Sequence, residues 1–165
     1  MRVAIVSDTH VPRFVRRLPA AVERVAAERP DAIVHCGDFT SPGAVAPFAA
    51  IAPFDGVAGN NDGAEIVARY GRRKVVSYGG ARLGLVHGDG ARGTTLGRAR
   101  DAFAGERVDA IAFGHSHIPY LAREGDRWLV NPGSCTDKRR QPRYSFAVLE
   151  IGPSGVEARL VFFDG

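Results

Sequence analysis

The stretch Gly114-His115-Ser116-His117 follows an apolar, strand-like run, Ala110 to Phe113, and decides how the chain is expected to fold. Four shorter polar motifs follow other apolar runs in the same way: Asp8-Thr9-His10, Gly37-Asp38, Asn60 and His87. In open α/β folds the carboxyl ends of the strands meet at one edge of the sheet, where ligands bind. We therefore expect the five motifs to lie together and to form one site.

Working outward, the first seventy residues alternate between strand and helix patterns. Strands are predicted over 2–7, 32–36 and 54–58, and helices over 18–28, 41–52 and 63–70. Ser41 is the predicted N-cap of the second helix, and Asp62 with Glu65 has capping-box spacing before the third. This order is typical of a parallel sheet with right-handed crossovers.

The rest of the chain has a different pattern. A hairpin is predicted over 74–78 and 82–86, a helix from Thr94 or Thr95 to about 104, and a strand over 108–113. Two antiparallel pairs follow, 119–123 with 127–131 and 144–151 with 156–163. A parallel-rich half and an antiparallel half predict two packed sheets with helices outside. Without a recognisable repeat or linker, we expect one domain over residues 1–165.

Composition restricts the classes of function. The 165 residues are 45% hydrophobic and carry a net charge of +4, which suits an anionic substrate. That charge is too diffuse to indicate a nucleic-acid surface, so nucleic acid is disfavoured as a partner. Cys36 and Cys135 form no CxxC pair, which favours a reducing compartment. No run approaches the ~20 apolar residues of a membrane span, so we expect no membrane association and a cytoplasmic location.

The motif residues are types that bind metal ions. Asp38 offers two carboxylate oxygens, enough to touch two ions, and Asp8 and His10 can point the same way on an extended segment. The remaining candidates supply an amide oxygen and imidazole nitrogens: Asn60, His87, His115 and His117. This mixed nitrogen and oxygen set suits Mn, Fe, Co or Zn, and it argues against a sulfur site or an all-oxygen Ca or Mg site.

With these motifs in this order, the chain resembles the calcineurin-like metallophosphoesterase superfamily. The compact length and the segment Asn131-Pro132-Gly133-Ser134 are most similar to its small bacterial and archaeal phosphodiesterase branch, which resembles the retromer subunit of the same fold. The resemblance implies an α/β fold, a four-layer αββα sandwich of two mixed β-sheets flanked by helices. It also implies two divalent metal ions, with manganese favoured and iron, zinc, cobalt or nickel as alternatives.

The resemblance further implies a role for each motif residue. One ion would be held by Asp8, His10, Asp38 and His117, and the other by Asp38, Asn60, His87 and His115. Asp38 would bridge the two ions, and Asp38, Asn60 and His87 are the expected catalytic residues. A water between the ions would attack phosphorus, because paired metals can acidify water and clamp phosphoryl oxygens. No serine or cysteine nucleophile is then needed.

One position departs from the pattern that the resemblance implies. Much of the superfamily has a histidine after the motif asparagine, where it can protonate the leaving alcohol; Asn61 stands there and cannot act as an acid near neutral pH. We assign Asn61 to substrate binding together with Arg139 and Arg143, although the basic run 138–143 also fits a solvated loop. Asp62 is interpreted mainly as a helix cap, and His35 as a core histidine or one that supports the ligands.

The leading hypothesis is a metal-dependent phosphoesterase acting on a small phosphate ester, with diesters ahead of monoesters. The alternative is a metal-binding scaffold or interaction protein of the same fold with little catalysis, which Asn61 favours. A nuclease is a third hypothesis, although the chain has no spare length for the capping segments of larger relatives. The sequence leaves homo-oligomerisation open.

Overall fold

The computed structural model describes all 165 residues as ten β-strands and four α-helices. In chain order they are β1 Arg2–Val6, α1 Leu18–Ala27, β2 Ala32–His35, α2 Val45–Ala49, β3 Phe54–Gly56, α3 Ala64–Tyr70, β4 Arg73–Tyr78, β5 Ala81–Val86, α4 Thr95–Ala102, β6 Ala110–Ala112, β7 Tyr120–Glu124, β8 Arg127–Asn131, β9 Tyr144–Gly152 and β10 Gly155–Phe163. Short 3₁₀ turns, Val15–Arg17 and Pro42–Ala44, lead into α1 and α2. Every strand and helix predicted from the sequence is present.

The first sheet has the strand order β10-β9-β1-β2-β3. β1 runs parallel to β2, which runs parallel to β3, as the alternating pattern predicted. On its other side β1 pairs antiparallel with β9, so that Val3 lies opposite both Ala32 and Leu149. The C-terminal hairpin therefore belongs to the same sheet as the N-terminal strands. The division of the sheets into a parallel-rich half and an antiparallel half of the sequence was wrong in this respect.

The second sheet has the order β4-β5-β6-β8-β7. Its three central strands, β5, β6 and β8, are parallel, while β4 and β7 pair antiparallel at the two edges. Both sheets are therefore mixed, because each combines parallel crossovers with at least one hairpin.

Three apolar clusters hold the layers together. Between the sheets, Val3 and Ile5 of β1 belong to the same cluster as Leu85 and Ala112 of the second sheet. The alternate residues of β1 point the other way and pack with α1 and α2, because successive strand side chains face opposite sides. On the far side Phe103, directly after α4, packs with Ile111 of β6. The order helix, sheet, sheet, helix confirms the predicted four-layer sandwich. None of the four helices has the length and apolar character to cross a bilayer.

The predicted caps of two helices are confirmed. Thr94 Oγ1 accepts a hydrogen bond of 3.0 Å from the backbone N–H of Gly97 at the start of α4. Ser41 Oγ accepts one of 3.2 Å from Gly43 at the 3₁₀ turn before α2. Such caps satisfy N–H groups that have no partner within the helix. The loops after β1, β2, β5 and β6 lie at one end of the sandwich.

Candidate metal centre

The loops at this end of the sandwich have strained backbone. Five candidate ligands adopt left-handed conformations: Asp8 (φ +55°), His10 (+46°), Asp38 (+59°), His115 (+67°) and His117 (+59°). Residues with a Cβ seldom adopt such angles, and each costs on the order of 1–3 kcal/mol. Strain of this kind persists where the surrounding structure enforces it, most often at functional sites. The surrounding structure therefore holds these residues in strained conformations that direct their side chains into the site.

Gly114 allows the loop after β6 to lie against the loop after β1. A Cβ at this position would overlap Ser7 Oγ and lie 2.7 Å from Asp8 Oδ2. Asn131, at the end of β8, donates a hydrogen bond of 2.8 Å to the Gly114 carbonyl and fixes this approach. The backbone N–H of His115 then donates to Asp8 Oδ2 at 3.0 Å. Only a glycine permits this contact between the two loops.

Asp8 lies at the centre of the site and is fully buried. Its Oδ1 atom is 3.3 Å from His117 Nε2 and 3.9 Å from both His10 Nε2 and His87 Nε2. Two groups of atoms could each hold a cation: one from Asp8, His10 and His117, the other from Asp8, Asp38 and His87. Asp8 is common to both groups.

Asp38 also lies between two histidines. Its Oδ2 atom is 3.3 Å from His87 Nε2 and 3.7 Å from His10 Nε2. Asn60 and His115 complete the outer side, with Asn60 Oδ1 3.1 Å from His115 Nδ1 and the His115 ring 5.2 Å from that of His87. The structure therefore brings all seven candidate ligands together. Asp8 and Asp38 both lie between the two groups, whereas the sequence analysis expected Asp38 alone to bridge the ions.

Two buried atoms of this cluster have no hydrogen-bond partner. They are Asp8 Oδ1 and His87 Nε2, the latter near Asp38 but not aligned for a hydrogen bond. Leaving such a group unsatisfied costs on the order of 1–3 kcal/mol, and native proteins rarely do so. A divalent cation would satisfy both atoms at once, because one is an anionic oxygen and the other an imidazole nitrogen. The residues present therefore fit a metal.

The histidine rings are oriented from behind by backbone carbonyls. His87 Nδ1 lies 2.7 Å from the carbonyl oxygen of Cys36, and His117 Nδ1 lies 2.5 Å from that of Asp137. An Nδ1–H that donates to a carbonyl leaves Nε2 as the atom facing the carboxylates. This is the usual support of a metal-binding histidine.

Burial and charge shift the pKa values of the cluster in opposite directions. Burial raises the pKa of Asp8 to about 7 and lowers that of His117 to about 4. Burial alone would lower the pKa of His87, but interaction with Asp38 and the charge of Asp8 outweigh it and raise the pKa to about 9. For Asp38, burial is outweighed by His87 and by hydrogen bonds from Asn61, so its pKa is held well below the usual range. Because metal ligands must be deprotonated, cation binding here should release protons.

Asn61 and Asp62 hold the loop around Asp38. The backbone N–H and the side-chain amide of Asn61 donate to Asp38 Oδ1 and Oδ2 at 2.9 and 2.6 Å. The Asp62 carboxylate accepts hydrogen bonds from the backbone N–H groups of Asp38, Gly59 and Thr40, at 2.7–2.8 Å. The interpretation of Asp62 as a helix cap was wrong, since Gly63 precedes α3 without any side-chain cap.

Several supporting residues had no role assigned from the sequence. Ser7 Oγ donates to Asp8 Oδ2 at 2.7 Å, and Ser134 Oγ donates to the Asp8 carbonyl at 2.9 Å. His35 is a buried support, as predicted, with Nε2 3.1 Å from Thr9 Oγ1. Cys135, in the loop after β8, is buried. In the sequence, the only indication of a supporting role for these residues was their closeness to a motif.

The basic residues near the cluster differ in their partners. Arg139 Nε lies 3.9 Å from Asp137 Oδ2, behind His117, and its charge lowers the pKa of that histidine. Arg143 pairs with Asp164 at 3.1 Å and contacts none of the seven candidate ligands. Arg13, which the sequence analysis did not single out, lines an open depression with His10, Pro12, Thr40 and Asn61. Sequence alone did not show which arginine faces the cluster.

Comparison with known proteins agrees with this fold and identifies the family. The model of the calcineurin-like phosphoesterase superfamily domain matches residues 1–153. A probable metallophosphoesterase of Methanothermobacter thermautotrophicus is 32% identical over 166 residues, covering 98% of this chain and 92% of that protein.

Two solved structures share the fold. One is the structure of a novel archaeal phosphodiesterase. It has a TM-score of 0.78 at 22% identity, and the match covers 99% of this chain and 100% of that one. The other is Vps29 of Entamoeba histolytica complexed with Zn²⁺, with a TM-score of 0.72 at 21% identity over the same shares of the two chains. Taken with the family match over residues 1–153, these findings show that the chain belongs to the calcineurin-like phosphoesterase superfamily.

Proposed function

We propose that the chain is a phosphoesterase that uses two divalent metal ions, preferably manganese, and that it hydrolyses phosphodiesters faster than monoesters. The observation that carries the proposal is the pair of buried atoms without hydrogen-bond partners, Asp8 Oδ1 and His87 Nε2, among converging histidines. The names of the related proteins, a probable metallophosphoesterase and an archaeal phosphodiesterase, support the same class of reaction.

The seven clustered residues would hold the ions. Asp8, His10 and His117 would hold one ion, and Asp38, Asn60, His87 and His115 would hold the other. A buried carboxylate, Asp8 or Asp38, would be shared between the two ions. When bound, such a pair lowers the pKa of water and stabilises negative charge on phosphoryl oxygens. Asn61 and Asp62 keep the Asp38 carboxylate in place through the hydrogen bonds described above.

Substrate would enter through the depression beside His10. Arg13 and Asn61 line it, so that a guanidinium and an amide N–H are available to phosphate oxygens. Asn61 cannot supply a proton to the leaving oxygen. We therefore expect efficient hydrolysis of esters whose alcohols leave as stable anions, and slow hydrolysis of simple alkyl esters.

A metal-binding interaction protein is the second candidate function. Asn61 favours it, because the position offers no general acid, and so does the shared fold with Vps29 complexed with Zn²⁺. Retention of all seven candidate ligands in one cluster favours the enzyme, since a protein without catalysis has no need of a complete set.

Hydrolysis of bis-p-nitrophenyl phosphate beside p-nitrophenyl phosphate tests the proposal. Chelator-stripped protein would receive Mn²⁺, Mg²⁺, Zn²⁺ or no metal, and bound metal would be counted by mass spectrometry. Asp38→Asn should abolish turnover, whereas Asp101→Asn, an exposed carboxylate on α4, should leave it unchanged. Faster monoester hydrolysis would overturn the diester preference. No turnover from protein that binds two ions would favour the interaction protein.

A further inference from the structure

A cavity beside the metal centre has no part in holding metal. It has a volume of about 620 Å³ and lies between residues 12–20 and the ends of β9 and β10 nearest the site. We call it the arginine cavity. It is lined by basic, aromatic and small residues, chiefly Arg13, Phe14, Arg16, Arg17, Tyr144 and Phe163. Its size is typical of cavities that bind small ligands.

The three arginines of the cavity lack partners of opposite charge. No acidic side chain lines the cavity, and Arg13, Arg16 and Arg17 make no ion pair and donate no side-chain hydrogen bond. Of the other seventeen arginines of the chain, seven pair with a carboxylate. Three neighbouring guanidinium groups repel one another and create a positive potential that an anion would relieve. Guanidinium groups bind phosphate with two parallel hydrogen bonds.

One partly exposed ring, that of Phe14, lines the cavity. The rings of Tyr144 and Phe163 pack at 5.7 Å and are nearly buried, so they form a fixed floor beneath it. Arg17 lies 5.0 Å from the centre of the Tyr144 ring, and Arg13 lies 5.3 Å from that of Phe14. Cations held over rings, next to an apolar surface, suit a flat ligand that carries negative charge.

The arginine cavity adjoins the depression beside the metal centre. Pro12 and Arg13 line both the cavity and the depression that contains His10, Thr40 and Asn61. The Phe14 backbone N–H donates to the His10 carbonyl at 3.1 Å, which fixes this shared wall directly beside a candidate ligand. The arginines therefore lie within reach of an ester group that extends from the metal ligands across this wall.

We propose that the arginine cavity binds one ester group of the phosphodiester substrate, and that this group is an aromatic ring carrying further phosphate, as in a nucleotide. The identification of this ligand as part of the substrate rests on the proposed function, but its binding to the cavity requires neither metal nor turnover. Arg16 and Arg17 hold the additional phosphate, Phe14 contacts the ring, and Arg13 lies between the two phosphates.

Binding of a fluorescent nucleoside diphosphate, mant-ADP, to chelator-stripped protein tests the cavity alone. Arg16→Gln should weaken binding by about five- to tenfold, as loss of an exposed charge-assisted hydrogen bond would. Arg24→Gln removes an exposed arginine of α1 that lies outside the cavity, and should leave the affinity unchanged. Circular dichroism would show that both variants fold.

The possible outcomes separate the two proposals. Binding that depends on Arg16, from a protein that hydrolyses no diester with any metal, would support the cavity site and overturn the phosphoesterase. Diester hydrolysis without mant-ADP binding, or with equal effects of Arg16→Gln and Arg24→Gln, would overturn the cavity proposal. If inorganic phosphate displaced mant-ADP at the same concentration as ADP does, the proposal that the cavity binds an aromatic ring would be overturned.

Discussion

Replacing Asp8 by asparagine is expected to stabilise the chelator-stripped protein while removing its metal binding. The carboxylate is fully buried, and its pKa is raised by burial from 3.8 to about 7. At about 1.36 kcal/mol per pKa unit, the ionised group costs the folded state up to ~4 kcal/mol at high pH. In Asp8→Asn, the amide nitrogen would take the place of Oδ1, 3.3 Å from His117 Nε2, a ring nitrogen whose other partner is His10 Nε2 at 3.3 Å.

The expected gain is smaller than that upper figure. His87 loses a neighbouring charge that helps to raise its pKa, which offsets part of the benefit. We expect Asp8→Asn to raise the free energy of unfolding by roughly 2 kcal/mol at about pH 8, measured by urea denaturation with chelator present.

The stabilisation by Asp8→Asn is expected to depend on pH. The folded-state pKa of Asp8 is raised, so its penalty is absent below the unfolded value of 3.8, grows as the pH rises and is complete above about 7. The advantage of Asp8→Asn should therefore fall to about a third near pH 5. Excess Mn²⁺ should stabilise the unchanged protein by about 2.7 kcal/mol at a hundredfold excess over Kd, and the variant hardly at all. A variant less stable than the unchanged protein at pH 8 with chelator, or a gain independent of pH, would refute this reasoning.

Two further substitutions test other parts of the site. Asn61→His should have little effect on the hydrolysis of a methyl p-nitrophenyl diester but should accelerate that of a dialkyl diester by roughly a hundredfold, because a general acid matters most for poor leaving groups. Equal acceleration of both substrates would contradict the role given to Asn61. Gly114→Ala should reduce metal affinity at least tenfold, measured by calorimetry, because its Cβ would displace Ser7 and Asp8. Gly152→Ala, where no atom lies within 4 Å of a new Cβ, is the control, because neither Gly114 nor Gly152 has a positive φ.

Most of the fold could be predicted because its elements have strong local patterns. The apolar runs gave β1, β2 and β5 to within about two residues, and helical spacing gave α1 to within one. What local patterns do not contain is the choice of partner strand. β9 pairs with β1, far away in the sequence, and no feature of 144–151 distinguishes that pairing from membership of the second sheet.

The grouping of the candidate ligands was predictable for a topological reason. Parallel strands that end at one edge bring the residues that follow them together, whatever the intervening sequence. The supporting contacts were not predictable in this way. The partners of Asp62 are backbone N–H groups of other loops, which leave no trace in residue type, and Asp62 therefore looked like a cap for the helix that follows it. The positions of Arg13 and Arg143 depend on the paths of irregular segments, and charge patterns in the sequence do not encode those paths.

The position of β1 in the middle of the first sheet has a consequence for synthesis on the ribosome. β1 emerges first, and β2 can cover one of its edges soon afterwards, but the other edge has to wait for β9. Until then the nascent chain carries an open, apolar strand edge of the kind that promotes aggregation. Asp8 directly follows this strand, while Ser134, which donates to its carbonyl, and His117 are translated late. Metal loading is therefore expected to be a late event, and a ribosome stalled before β9 should present a chain that chaperones bind and metal does not.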